Sequence, residues 1–158
     1  MHPPLHNTKN MVKEYIEARY NSSMDAIYKA AGIIIADRKL LFARAKDADF
    51  FIDPGGKIEK GETAKQALVR ELSEELSISV DEADLESFGE YTAEAANNQG
   101  RTVHMKAFVV KKWIGEIKAS AEIEELLWLD SQVPDGIQVG SIFGGKVLPR
   151  LHKLGLVD

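Results

Sequence analysis

The run Arg70-Glu71-Leu72-Ser73-Glu74-Glu75 crowds three carboxylates onto one side of a predicted helix. Side chains three and four apart on a helix are neighbours, so Glu71 faces both Glu74 and Glu75, and like charges so placed cost about 0.2–0.5 kcal/mol per pair. Something has to offset that repulsion. A hard divalent cation would do so, because magnesium takes oxygen ligands, keeps several waters and is usually held by carboxylates together with a substrate's phosphates.

The elements around this run must hold it in place. Thr63 followed by Gln66 fits a capping box, so the helix is expected to begin near Thr63. Ala64, Leu68, Leu72 and Leu76 then recur at four-residue steps and form a core-facing stripe about 120° wide at 3.6 residues per turn. On that wheel Glu75 falls just inside one edge of the stripe and Glu71 just outside it, with Glu74 and then Arg70 further round. The two inner carboxylates therefore belong where the helix meets its neighbours. Upstream, Pro54-Gly55-Gly56 is a loop signal. Residues 27–36 and 39–45 are apolar segments separated by Asp37-Arg38, which predicts a hairpin, and Phe50-Phe51-Ile52 reads as a further short strand. Downstream, residues 85–92, 102–112 and 126–129 read as strands, 95–100 as a loop, and 147–154 as a closing helix that begins near Pro149 or kinks there. Residues 1–26 read as an appended short helix and loop, and 27–158 as one domain. Strands before, between and after a central helix make a mixed α/β domain. The spacing after Gly55-Gly56 excludes the dinucleotide fingerprint of a Rossmann fold.

Composition narrows the function classes. A chain of 158 residues can close one hydrophobic core. The net charge of −5 argues against a grip on polymeric nucleic acid, which needs a basic face. A small phosphorylated molecule remains compatible, because a bound cation reverses the local sign of an acidic site. The apolar runs are too short to span a bilayer, so no membrane partner is expected. The first residues carry no secretory pattern and the chain has no cysteine, which together fit a cytoplasmic protein.

Gly56, Glu62, Arg70-Glu71-Leu72, Glu74-Glu75 and Ile78 together resemble the Nudix box, G-x5-E-x7-R-E-U-x-E-E-x-G-U with U aliphatic. Six fixed identities at about 6–7% each coincide at a given start on the order of once in 10⁷. Ser77 departs from the pattern, standing where the family has glycine, and a local backbone adjustment is expected there. Pro54-Gly55-Gly56-Lys57-Ile58-Glu59 also resembles the MutT-like branch, and the likeness runs from about residue 27 to 154. It implies the Nudix fold, a mixed β-sheet sandwiched between α-helices with a loop-helix-loop that carries the metals.

The same resemblance implies magnesium-dependent hydrolysis of a diphosphate linkage in a nucleoside diphosphate joined to a group X, with manganese able to replace magnesium. Glu71, Glu74 and Glu75 would be metal ligands, one of them or a nearby carboxylate would activate water, and the Gly55 carbonyl would be a further ligand. Arg70 would pair with the glutamates of the box. Glu62 either helps Arg70 or is an exposed loop acid. Glu122, in the cluster Glu122-Ile123-Glu124-Glu125, is the expected ligand or base from a second loop, with Glu125 the next choice. Arg44, Phe51 and Asp53 are candidate substrate contacts; each is also explained by an ordinary surface charge or core role. His104 is given no chemistry. Asp53 where oxidised-purine enzymes carry an apolar residue, and no proline between Pro54 and Pro134 where the ADP-ribose subgroup carries one, leave X open among nucleoside triphosphates, ADP-ribose and nucleotide sugars. A non-catalytic nucleotide-binding module and a solvated structural helix are the rival readings. Members often dimerise, so a homodimer is compatible.

Overall fold

A computed structural model describes residues 26–94 and 100–158. The expected appendage (but for Ala26) and most of the expected 95–100 loop lie outside the described residues. Nine elements position the site: β1 (Ala26–Ile33), β2 (Ile35–Ala36), β3 (Lys39–Ala45), β4 (Gly55–Lys57), α1 (Ala64–Leu76), β5 (Leu85–Glu94), β6 (Thr102–Val110), β7 (Ile123–Leu129) and α2 (Leu148–Lys153). Strands β4-β1-β6-β5 form a mixed sheet in which β1 and β6 run parallel, and β2-β3-β7 form an antiparallel one.

The apolar run 27–36 is divided between the two sheets, with Ile34 at the division. From Ala30 onward the run is apolar without alternation because both faces are covered there. Ala31 and Ile33 join Leu40, Phe42, Phe143 and Leu151 on one side, while Ala30 and Ile34 join Leu41, Leu68, Leu72 and Leu76 on the other. The hairpin expected at Asp37-Arg38 forms between β2 and β3, and both residues take left-handed conformations, φ 49° and 60°. Two such residues give the turn twist that matches the strands they join.

Four elements differ from the sequence expectation. Gly55–Lys57 is a strand, paired antiparallel with β1, although Pro54-Gly55-Gly56 signals a loop. Glycine is required there by close backbone approach: a Cβ on Gly55 would stand 2.1 Å from the Ala30 carbonyl oxygen. Phe51 and Ile52 make isolated bridges to Val139 and Ala43 and not a strand. The last strand starts at Ile123, so Glu124 and Glu125 lie on β7 and not in a loop. The closing helix also starts earlier, at residue 141, passing through a π-helical turn at Phe143–Val147 into α2. Gly144-Gly145 hides this start in the sequence, yet a Cβ on Gly144 would lie 2.1 Å from Val139. Pro149 lies just where the π-helical turn passes into α2, inside the helical run, and its missing N–H leaves one bond of that ladder unmade. Among the described residues no helix is long and apolar enough to cross a membrane.

Candidate metal and active site

Helix α1 begins as its sequence dictates. Thr63 is the N-cap: its hydroxyl accepts the Gln66 N–H at 3.1 Å and its own N–H donates to the Gln66 side chain at 2.9 Å. Ala67, Leu68, Leu72 and Leu76 are buried, and Glu75 is buried with them at 6% exposure. The helix ends at Ser77, which itself takes the left-handed conformation (φ 58°, ψ 28°). The backbone adjustment expected at this position is therefore not needed: serine holds the geometry that glycine would supply.

Three carboxylates converge. Ligand oxygens of Glu71, Glu75 and Glu122 all lie within 4.8 Å of one another. Glu75 and Glu71 come from adjacent turns of α1, and Glu122 arrives from the segment before β7. That segment is tied to the end of α1, since Ser120 N–H donates to the Glu75 carbonyl at 2.9 Å, Lys118 N–H donates to the Leu76 carbonyl at 3.0 Å, and the Ser120 hydroxyl donates to the Glu74 carbonyl. Last-turn carbonyls that a helix leaves without partners thus become the anchors that deliver Glu122. From the other side, Lys46 N–H donates to the Glu122 carbonyl at 2.8 Å. No composition signal in residues 118–121 announces this role.

The burial of Glu75 pushes its pKa up to about 8; the Gly55 N–H, 3.1 Å from Oε2, works against this, and the charges of Glu71, Asp53 and Glu122 add to it. Glu71 is also raised, first by burial, with the Arg70 hydrogen bond opposing. Gly56 lets Glu71 lie against the backbone, because a Cβ there would stand 2.5 Å from its carboxylate. Arg70 closes the outer side: it donates to Glu62 at 2.8 and 2.9 Å and to Glu71 at 2.9 Å, and lies 3.5 Å from Glu74. Glu62 is thus Arg70's partner and not a free loop acid. Glu74 stands outside the trio, its side chain 55% exposed.

The remaining candidates are distributed differently. Arg44 is held by Glu125 at 3.1 Å and Glu124 at 3.3 Å, with its guanidinium 5.9 Å from the Phe51 ring centroid. Glu125 is therefore an Arg44 partner and lies outside the trio. Phe51 is part of the core, and Asp53 is buried and paired with Lys29 at 3.1 Å. Sequence reasoning passed over Lys29; its one signal is a lone lysine within an apolar strand. His104 stacks on Tyr28, ring centroids 5.1 Å apart.

The NUDIX domain family model matches residues 27–149. The chain belongs to the Nudix hydrolase family. It is 36% identical over 110 residues to the CTP pyrophosphohydrolase of Escherichia coli K12, covering 66% of this chain and 76% of that one. It is 29% identical over 126 residues to the ADP-ribose pyrophosphatase of Methanocaldococcus jannaschii, covering 78% and 73%. The solution structure of the E. coli ORF135 protein superposes with a TM-score of 0.62 at 30% identity, covering 84% of this chain and 91% of that one. As a Nudix pyrophosphohydrolase the chain has the mixed sheet between helices that its box implied. Nudix hydrolases generally use a divalent metal, and the residues present fit one: three converging carboxylates, one of them buried, are a donor set for a hard cation.

Proposed function

We propose that this Nudix hydrolase cleaves the diphosphate linkage of a nucleoside triphosphate or related nucleotide, with magnesium held by Glu71, Glu75 and Glu122. The observation that carries this reading is the convergence of those three carboxylates from two separate segments within 4.8 Å. Glu74 and the Gly55 carbonyl are the further ligands that the family resemblance implies. When bound, magnesium would neutralise phosphate oxygens and lower the pKa of a water.

The chain's own residues do the rest. Glu75, protonated in part near neutral pH without a cation, gives up its proton to become a ligand. Arg70 keeps Glu71 in its rotamer and removes the repulsion between the carboxylates of α1. A carboxylate of the trio takes a proton from the attacking water, whose oxygen bonds to phosphorus as the bridging P–O bond breaks. Arg44, at the end of β3, offers a cation to the substrate's phosphates. Phe51 packs beside that guanidinium, 5.9 Å from ring centroid to Cζ, and Asp53, two residues on, is paired with Lys29.

Two named relatives act on different nucleotides, CTP and ADP-ribose, so the substrate has to be read from turnover. Incubation with magnesium and a panel of nucleoside triphosphates, ADP-ribose, nucleotide sugars and dinucleoside polyphosphates is expected to give cleavage of a triphosphate. No turnover of any compound, with a nucleotide still raising the melting temperature, would replace hydrolysis with binding alone.

A further inference from the structure

Among the described residues two charged side chains are buried, Asp53 at 4% exposure and Glu75 at 6%. Glu75 has its reason in the carboxylate trio. Asp53 sits just ahead of Pro54-Gly55, and its carboxylate is met by Lys29 Nζ from β1, 3.1 Å from Oδ2 and 3.3 Å from Oδ1. Lys29 donates to Oδ1, and the buried Oδ2 has no hydrogen-bond partner among the described residues. A charge pair taken out of water at this depth is weak evidence for stability, because desolvation opposes the attraction. The pair therefore invites a different explanation.

That explanation lies two residues on. We propose that Lys29 and Asp53 are a positioning pair that holds Glu75 in place through the Gly55 N–H. The segment from Asp53 to Lys57 is clamped to β1 at successive points: Lys29 to Asp53, Gly32 N–H to the Pro54 carbonyl at 2.8 Å, and the β1–β4 ladder from Ala31 opposite Gly55 to Lys29 opposite Lys57. The clamp forces Gly55 to φ +136°, with the Ala30 carbonyl so close that a Cβ would lie 2.1 Å from it. In that conformation the Gly55 N–H points at Glu75 Oε2, 3.1 Å away, and is the one group that favours Glu75 as an anion. Lys29 is the side-chain member of the clamp nearest Gly55, and Asp53 is its grip on the segment. The inference rests on the metal-site reading for its consequence but not for its geometry.

Charge and position make opposite forecasts for Lys29→Met. Removing a cation beside an acidic cluster should by charge alone tighten cation binding; releasing Gly55 and Glu75 should weaken it. We expect the variant full chain to bind Mn²⁺ about tenfold more weakly without nucleotide, as losses around metal ligands typically do. Binding is read by electron paramagnetic resonance of free Mn²⁺. The Gly55 amide resonance should move in the metal-free protein, and Lys29→Arg should restore both. The double variant Lys29→Met with Asp53→Asn leaves no unpaired buried charge and carries the same test should Lys29→Met fail to fold; it is expected to stay weakened. Native or tighter affinity in Lys29→Met, an unmoved Gly55 amide, or native affinity in the double variant would each overturn the proposal. Neither readout uses turnover, and the amide readout needs no metal, so failure of the hydrolase reading is told apart from failure here.

Discussion

Arg70 and Glu62 form a two-point fork across the loop-to-helix turn, Nε donating to Oε2 at 2.8 Å and Nη2 to Oε1 at 2.9 Å. The same guanidinium donates to Glu71 at 2.9 Å, so Glu62 steers a ligand it never touches. Its carboxyl is lowered to about 2, first by Arg70 and then by the Glu59 N–H. A depressed carboxyl contributes stability that is present above the unfolded value near 4.5 and lost as pH falls toward 2. Glu62→Gln should therefore flatten the acid limb of stability against pH in that window. Arg70→Lys, which cannot fork, should weaken metal binding about tenfold or more. Metal titration and melting curves between pH 2 and 5 check both; native behaviour would sever Glu62 from the site.

Glu75 has the opposite sign. Burial raises its pKa to about 8, so the folded protein holds a proton that the unfolded chain releases near 4.5. Its contribution to metal-free stability is full below about 4.5 and is lost as pH rises through about 8. Magnesium should bind more tightly as pH rises over the same range, because it displaces that proton. Glu75→Gln should melt higher than the native chain at pH 8.5 without metal, and should lose most of the melting-temperature gain on adding magnesium. A native-like gain in that variant would remove Glu75 from the ligand set.

Glu122 and Glu125 are three residues apart with different fates. Glu122 joins Glu71 and Glu75, while Glu125 is 3.1 Å from Arg44. Glu122→Gln should cut metal affinity by about tenfold or more, whereas Glu125→Gln should leave it within about twofold and change KM through Arg44. Arg44 has its pKa raised, chiefly by Glu125, as expected of a cation held in reserve by a carboxylate. Equal effects of the two substitutions on metal affinity would merge the roles separated here.

Local chemistry was legible where the cause is local. The Thr63–Gln66 cap, the Leu68–Leu72–Leu76 stripe and the placing of Glu75 inside its edge all depend on residues within one helix, and periodicity reads them directly. The Arg44–Glu125 pair depends on the β3–β7 register, with Arg44 opposite Glu125, and no spacing along the chain encodes it. Lys29 and Asp53 lie 24 residues apart, so Asp53 reads from the sequence only as a candidate substrate contact and Lys29 draws no reading at all. The strand at Gly55–Lys57 was hidden because glycine marks loops by propensity, while here it answers to the approach of the Ala30 carbonyl. The loop that carries Glu122 is set by the last carbonyls of α1, a demand of the backbone with no side-chain signature.

Ser77 stores a cost that the family's glycine avoids. Its φ of 58° is left-handed, where a Cβ crowds the following carbonyl at a cost of roughly 1–2 kcal/mol. Its hydroxyl recovers little, reaching Ser120 Oγ at 3.3 Å. Glycine removes the strain but carries a larger entropy loss on folding, of roughly 0.5–1 kcal/mol relative to alanine. The difference should leave Ser77→Gly more stable by about 0.5 kcal/mol, which raises the melting temperature by about 1–2 °C in a domain of this size. The metal trio should be unaffected, since Ser120 is held to α1 by its own N–H on the Glu75 carbonyl and by its hydroxyl on the Glu74 carbonyl. Calorimetry and a parallel Mn²⁺ titration separate the two effects. A lower melting temperature would mean that the Ser77–Ser120 contact outweighs the backbone strain.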